Sequence, residues 1–523
     1  MPVRRLFHFV MPIFSLFASY LGAQTASSTA GSIVPGRYIV VYRSATVPGD
    51  AEVRARALGA HVLQRHDRIG IATVQTLRPY TKTSAIKASE QSGDDREVMR
   101  RLASQPDVEY VLHDRIVTSH HLRVRPVPTE ADAVFSVATG SGAFDTYYNS
   151  PQGWAVRQAG GYGNGVPGSS ATGPWNTTTG KGVRIAIVDS GVDASHPDLA
   201  PNLALNLSEV DQSALPSICD DGSPRDQAGH GTWTASLAAA ALGPGTGRVV
   251  GVAPSATILN IKVLERMPAA MSGGTDTDHC TAGESSGLLS WVIQGIDDAI
   301  ANHADVISMS LGAIIDLSTG DGAGVKAAFD RVTYAASQAG AVLIAAAGND
   351  GYDLSNPRYV EIPAQSRSVL AIVASTNPDC MEDTRSGASC TPGQPELAYY
   401  SNHGTSLNAL AAPGGSYPAG GDMAVSGWVR GACSSGIPTT QDGLPNDQAH
   451  SFGCFSLGHA SYVQAIGTSA AAPLVAGAAA LLRAAHPEWD SATVVNALRA
   501  TAMPATSSLP APEINLPAAL SYR

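Results

Sequence analysis

From Lys181 onward, short apolar runs alternate with helix-length segments, and this alternation restricts the fold more than any other feature of the chain. The apolar runs are Val183–Val188, Thr257–Val263, Val306–Met309, Val342–Ala346 and Val369–Ala374. Helix-like stretches fall between them at Thr232–Ala241, Leu288–Ala301 and Val325–Ala339. Strands that are apolar along nearly their whole length are buried on both faces. The pattern therefore predicts an α/β fold, a parallel sheet covered by helices on both faces. In such sheets the ligand crevice opens at the carboxyl ends of the strands, so residues there are the first candidates for chemistry.

Three segments place reactive side chains at such positions. Asp189 ends the run Arg184-Ile-Ala-Ile-Val-Asp189-Ser-Gly191. His230 lies in Gly229-His230-Gly-Thr232 and Ser469 in Gly467-Thr-Ser469-Ala-Ala-Ala-Pro473, each at a helix start. Taken singly, a strand-end carboxylate is an ordinary turn residue, and small-residue runs before Ala-Pro occur in many helices. Together, Asp, His and Ser are the parts of an activated nucleophile, because a serine hydroxyl needs a base and the base needs an orienting carboxylate. Ser290-Trp-Val-Ile-Gln-Gly-Ile, Ala299 to Gly312 and Ala345-Ala-Ala-Gly348-Asn349-Asp-Gly351 follow in order. Over roughly residues 180 to 500 the set resembles the subtilisin-like serine proteases (subtilases), whose triad runs Asp, His, Ser.

The resemblance implies Ser469 as nucleophile, His230 as base and then acid, and Asp189 as the group that orients the imidazole. It implies Asn349 as side-chain donor to the oxyanion, where the unassisted reading is a turn asparagine. Ser310, Leu311, Gly312, Ala347 and Gly348 become substrate-binding residues, with Leu311-Gly312 and Ala345–Gly348 as walls of the primary specificity pocket. These walls are small or apolar, so the expected substrate residue before the cut bond is large and apolar. No acid is expected at the pocket base, and Asp350 is placed at its rim. Pro473 is read as lying inside the first turn of its helix, where a missing N–H costs little. Trp233 and Ala470 depart from residues common in the family but carry no proton in the mechanism. The resemblance requires no cofactor for the chemistry. It offers a structural calcium, with Asp198 as a candidate ligand that reads equally as a helix-start acid. An α/β-hydrolase esterase would need a GxSxG elbow and the order Ser, Asp, His. A Ser-Glu-Asp carboxyl peptidase would lack His230 and Asn349.

The N-terminal third reads differently. Residues 1–26 carry Arg4 and Arg5 ahead of an interrupted apolar run and then small residues, the pattern of a cleaved secretory signal. Residues 34–116 follow a strand-helix-strand-strand-helix-strand rhythm whose last strand is Val108–Leu112, which suits a small α+β ferredoxin-like domain. Its opening and its Pro106-Asp-Val-Glu-Tyr-Val ending resemble the inhibitory propeptide of subtilases. Residues 117–145 then form a linker containing the maturation cut, and 146–523 the catalytic domain. The net charge of −11 and the lack of a basic stripe argue against a nucleic-acid partner. Expected partners are protein or peptide substrates and the chain's own propeptide. The expected state is a secreted monomer without a stable membrane anchor. Six cysteines in an exported chain predict disulfides. The short loops favour Cys380–Cys390 and Cys433–Cys454, leaving Cys219 with Cys280.

Overall fold

The structure, a computed structural model, describes residues 32–77, 93–119, 123–126, 153–170, 172–242, 249–376, 394–416, 427–434, 454 and 461–523. The signal segment, most of the linker and the Cys380–Cys390 pair lie outside the described residues.

The N-terminal domain has the order β1 (Ile33–Tyr42), α1 (Ala51–Ala57), β2 (Ala60–His66), β3 (Ile71–Thr76), α2 (Gly93–Ala103), β4 (Val108–Ser119). Its strands are antiparallel in the spatial order β4-β1-β3-β2, the expected ferredoxin-like arrangement. Strand alternation gives this sheet two apolar faces. Tyr38, Val40, Val74 and Val108 pack with Ala51, Ala55 and Leu102 of the two helices. Ile39, Val41, Ile71 and Leu112 point the other way and join the core of the larger domain.

After β5 (Arg123–Pro126), the larger domain contributes β6 (Arg184–Asp189), β7 (Leu203–Ser208), α3 (His230–Ala239), β8 (Thr257–Lys262), β9 (Leu264–Arg266), β10 (Ser285–Leu288) and α4 (Leu289–Ala301). Next come β11 (Val306–Met309), β12 (Leu311–Asp316), α5 (Gly320–Gln338), β13 (Val342–Ala346), β14 (Tyr359–Ile362) and β15 (Val369–Thr376). The chain closes through β16 (Glu396–Leu397), β17 (Leu410–Pro413), β18 (Val429–Ala432), β19 (Tyr462–Ile466), α6 (Thr468–Ala485) and α7 (Ser491–Ala500). The central sheet runs β7-β8-β6-β11-β13-β15-β17, all parallel, with β16 antiparallel on β15. Ile185, Ile187, Val306, Val342 and Ile344 share a core with α3 and α6. Ala186, Val188, Ile307, Leu343 and Ala345 face the opposite layer, with α4 and α5. By composition α6 is long and apolar enough to cross a membrane, but here it is the buried central helix of the domain.

Charged groups tie the two domains together. Asp114 on β4 is buried; it accepts from Arg37 at 2.8 Å and from the backbone N–H of Ser290 at 3.0 Å, in the first turn of α4. Asp321 accepts from His113 and Arg115 at 2.7 Å each, and Asp297 from Arg68 at 2.9 Å. Burial alone would raise the Asp321 and Asp297 carboxyls, but His113 with Arg115, and His66 with Arg68, hold both below the ordinary value. Carboxyls depressed in this way contribute docking energy above an ordinary carboxylate pKa of about 4 and lose it as the pH falls through the lowered value. Hydrogen-exchange protection of β4 amides, corrected for intrinsic rates, should therefore fall between about pH 5 and pH 3. Protection that stays constant across that range would contradict this assignment.

Cys219 is bonded to Cys280, and Cys433 to Cys454, as the sequence predicts. Replacing both cysteines of the Cys433–Cys454 pair by serine should cost about 3 kcal/mol by loop closure, read as a lower denaturant midpoint. An unchanged midpoint would mean the loop is held by other contacts.

Candidate active site

Asp189 is the last residue of β6 and lies against the start of α3. Its Oδ1 accepts from His230 Nδ1 at 2.7 Å and from the Ser190 N–H at 2.7 Å, and its Oδ2 from Thr234 Oγ1 at 3.1 Å. A carboxylate only accepts, so this geometry puts the ring proton on Nδ1 and leaves Nε2 as the basic nitrogen.

The start of α3 is fixed by an acid that the sequence pattern does not single out. Asp226 is buried and accepts from the backbone N–H groups of Gly229 at 2.7 Å and Thr232 at 2.8 Å, and from Ser190 Oγ at 2.9 Å. Burial raises its carboxyl, while the hydrogen bonds from Thr232 and Gly229 work against that rise. Asp226 and Ser190 together hold the His230 turn onto the strand end that carries Asp189. Close approach is also required. A Cβ on Gly231 would stand 2.1 Å from the Gly191 carbonyl oxygen, so only glycine fits there.

Ser469 is the second residue of α6. Its Oγ donates to the Ser310 carbonyl at 3.3 Å, and Ser310 Oγ donates to the Ser469 carbonyl at 3.1 Å. Pro473 explains the second bond. The helix begins at Thr468, so Pro473 falls beyond the first turn in which the sequence pattern puts it. Its missing N–H leaves the carbonyl four residues earlier, that of Ser469, without a helical donor, and Ser310 supplies one. Ser310 follows β11, which pairs with β6 through Met309 and Val188. Ser469 is thus anchored at the strand end beside the one that carries Asp189, and α3 and α6 pack together across the sheet.

Asn349 lies just beyond β13. Its Oδ1 accepts from both the N–H and the Oγ1 of Thr468 at 2.9 Å. That fixes the amide orientation and commits the oxygen. The Nδ2 group is buried and has no hydrogen-bond partner among the described residues. A buried donor left unpaired costs about 1–3 kcal/mol, a cost that makes sense where a ligand atom will accept from it.

Of the predicted substrate-binding segments, Leu311-Gly312 is paired with the chain's own N-terminal domain. β4 lies antiparallel between β10 and β12, with Ile116 opposite Leu288, Val117 opposite Gly287, Thr118 opposite Ser286 and Gly312, and Ser119 opposite Leu311. A few residues further on, β5 pairs antiparallel with β19, the strand leading into Ser469, with Arg123 opposite Ile466. The sequence pattern ends the last N-terminal strand at Leu112. Asp114 and Arg115 look like a strand end, yet both are held in ion pairs and the strand continues to Ser119.

One acid lies near the predicted pocket walls: Glu361, on β14, is fully buried. A Cβ on Gly348, which has φ +95°, would stand 3.1 Å from Glu361 Oε2. β14 also pairs with β12, the strand that begins at the other wall, placing Glu361 opposite Ile314. Within Tyr-Val-Glu-Ile this acid looks like an incidental polar residue in a short strand. Only the β12 pairing brings it near the two walls. Asp350, by contrast, is exposed and accepts from Asn402 Nδ2 at 3.3 Å. Trp233 fills the space behind His230, with ring centroids 6.0 Å apart and its Nε1 donating to the Val429 carbonyl at 3.3 Å. Ala470 is buried next to Ser469.

Asp198 is buried, and its Oδ2 accepts from the Val249 N–H at 3.2 Å. Among the described residues no group of three or more His, Cys, Asp or Glu side chains is placed to hold a metal. Calcium takes six to eight oxygens. One carboxylate already engaged by a backbone donor does not fit that demand, and no step below runs through a metal.

Comparison with known proteins agrees with this fold. The model of the subtilase family matches residues 180–516, and that of the fervidolysin N-terminal prodomain matches residues 22–112. The chain belongs to the subtilase family and carries an N-terminal prodomain. It is 33% identical to subtilisin E of Bacillus subtilis (strain 168) over 324 residues, which is 62% of this chain and 61% of that one. The match thus spans less than two thirds of that relative's length. Subtilisin of Bacillus pumilus is 32% identical over 324 residues, 62% of this chain and 85% of the relative. Among solved structures, fervidolysin from Fervidobacterium pennivorans, described as a keratinolytic enzyme related to subtilisin, superposes with a TM-score of 0.58 at 19% identity. That superposition covers 96% of this chain and 65% of the other. The epidermin leader peptide processing serine protease of Staphylococcus aureus gives a TM-score of 0.58 at 19% identity, covering 93% of this chain and 97% of the other. At such identities the likeness speaks for the fold.

Proposed function

We propose that the chain is the precursor of a secreted serine endopeptidase that matures by cutting itself, with Asp189, His230 and Ser469 as its triad. In the reaction, His230 Nε2 takes the proton from Ser469 Oγ as that oxygen attacks the peptide carbonyl carbon. The oxyanion that forms accepts from Asn349 Nδ2 and from backbone N–H at the start of α6. His230 then gives the proton to the departing amine, the C–N bond breaks, and an acyl ester remains on Ser469. Water, deprotonated by the same imidazole, attacks the ester and restores the serine. Asp189 stays ionised throughout and stabilises the imidazolium.

The observation that carries this reading is the path of the chain itself. Ile116 to Ser119 add a strand between β10 and β12 on one side of Ser469, and Arg123 to Pro126 pair with β19 on the other. A cleft that takes extended backbone on both sides of a nucleophile is suited to cutting within polypeptides, and main-chain pairing tolerates varied sequence. The same path supports the N-terminal domain as an inhibitory propeptide and supports a maturation cut at one of the bonds between Ser119 and Arg123. The Cys219–Cys280 and Cys433–Cys454 disulfides suit an oxidising, extracellular setting. N-terminal sequencing of the mature secreted protein should find His120, His121, Leu122 or Arg123 as the first residue. A mature N-terminus before Thr118 or after Pro126 would overturn the cleft assignment.

A further inference from the structure

We infer that the Cys219–Cys280 disulfide positions substrate: it fixes the edge of β10 on which the acyl side of a polypeptide lies, so that the enzyme favours long peptides over short ones. The inference rests on the protease reading above and adds a determinant of substrate length to it. In the precursor, β10 takes Ile116 to Thr118 on its outer edge, with Ser286 opposite Thr118 and Leu288 opposite Ile116. Its C-terminal end runs straight into α4 at Leu289. Its N-terminal end, opposite the residues nearer the cut, follows an excursion from Met267 to Glu284 that leaves β9 and returns. Among the described residues, the inner edge of β10 pairs with β9 alone, through Arg266 with Ser285, Glu265 with Ser286 and Leu264 with Gly287. A ladder that short holds an edge strand weakly.

What steadies that end is the loop of chain that leads to His230. Cys280 lies in a short helix, Asp276–Thr281, within the excursion, and Cys219 lies in the loop between β7 and α3. Both cysteines are buried. The same loop grips β9 on either side of the disulfide. Ser217 Oγ accepts from the Cys219 N–H at 3.0 Å and donates to the Arg266 carbonyl, and Asp220 accepts from the Arg266 N–H at 3.0 Å. Arg266 Nε in turn donates to the Cys280 carbonyl at 2.8 Å. Asp220 is itself anchored, accepting from Lys262 Nζ at 2.9 Å, and Lys262 lies opposite Asp189 in the sheet. The disulfide is thus the covalent tie between the excursion and a loop fixed at the strand end that carries the triad acid. Strand addition gains its main-chain hydrogen bonds in full only against an edge already in place. An edge that the substrate must order weakens binding with each backbone residue ordered. A substrate with one residue before the cut bond does not reach β10, because the β10 pairing ends at Thr118 and the proposed cut lies beyond Ser119. Long substrates alone therefore depend on the tie.

The test measures kcat and KM of the mature enzyme on two chromogenic amides with the same leaving group and the same residue before the scissile bond. One carries a tetrapeptide on the acyl side and the other a single residue. The double variant Cys219→Ser with Cys280→Ser should lower the long-to-short ratio of kcat/KM by roughly tenfold or more, chiefly through a higher KM for the long substrate. Its hydrolysis of the short substrate should stay within about threefold of wild type. Cys433→Ser with Cys454→Ser is the control. It also removes a disulfide, but one that follows β18 on the leaving-group side, and it should leave the ratio within about twofold. Ser217→Ala keeps both cysteines and removes one grip of the loop on β9. It should move the ratio in the same direction by a smaller factor, and it decides the question if the double variant does not accumulate. Equal losses on both substrates, an unmoved ratio, or as large a shift in the control would each overturn the inference. Absence of hydrolysis by the wild type on both substrates would instead fell the protease reading, and this inference with it.

Discussion

Ser469→Ala should accumulate as an uncut precursor and lose hydrolysis by a factor on the order of 10⁶ in kcat. The size follows from what the hydroxyl does. Among the described residues it is the candidate nucleophile that the geometry brings to the strand end beside Asp189 and His230. Its carbonyl accepts from Ser310 Oγ, and its Oγ donates to the Ser310 carbonyl, which fixes the side chain at that strand end. Alanine is already tolerated next to it at Ala470 and removes one atom from a buried helix start, so folding should survive. The retained length matters as much as the lost activity, because the strand from Ile116 to Ser119 then stays in the cleft. A Ser469→Ala chain that appears at mature length would show that another protease makes the cut and that self-processing is wrong.

Asn349→Ala should lower kcat by about a hundred- to a thousand-fold while changing KM little, because Nδ2 donates to a charge that exists only in the transition state. The substitution also removes the acceptor for the N–H and hydroxyl of Thr468. A thermal midpoint measured alongside separates that structural loss from the catalytic one. A large rise in KM with kcat preserved would place the amide in ground-state binding and remove it from the oxyanion site.

Much of the fold and site is legible in the sequence because it rests on local pattern. Strands such as Val306–Met309 are apolar throughout and announce a doubly covered sheet. Asp189, His230, Ser469 and Asn349 lie beside Gly, Ala or Ser neighbours that mark strand ends and helix starts. What escapes depends on pairing between distant segments. β4 looks finished at Leu112, because Asp114 and Arg115 are charged; they stay in the strand because Arg37 and Asp321 await them on other elements. Glu361 gains its place near the pocket walls only through the pairing of β14 with β12. Asp226 gains its role by accepting from the backbone of a helix it merely precedes. Pro473 lies further into its helix than its sequence context suggests. A proline is expected to mark a helix start, but here the start is set at Thr468 by its bonds to Asn349.

The central claim is that His230 and Asp189 activate Ser469 as a nucleophile toward acyl groups. Its most direct test is covalent capture: mature protein is treated with a fluorophosphonate, digested and analysed by mass spectrometry. The account predicts a stoichiometric adduct on the peptide containing Ser469, formed rapidly by the native enzyme, strongly slowed by His230→Ala and absent after denaturation. No adduct on active protein, or an adduct on a serine other than Ser469, would contradict it.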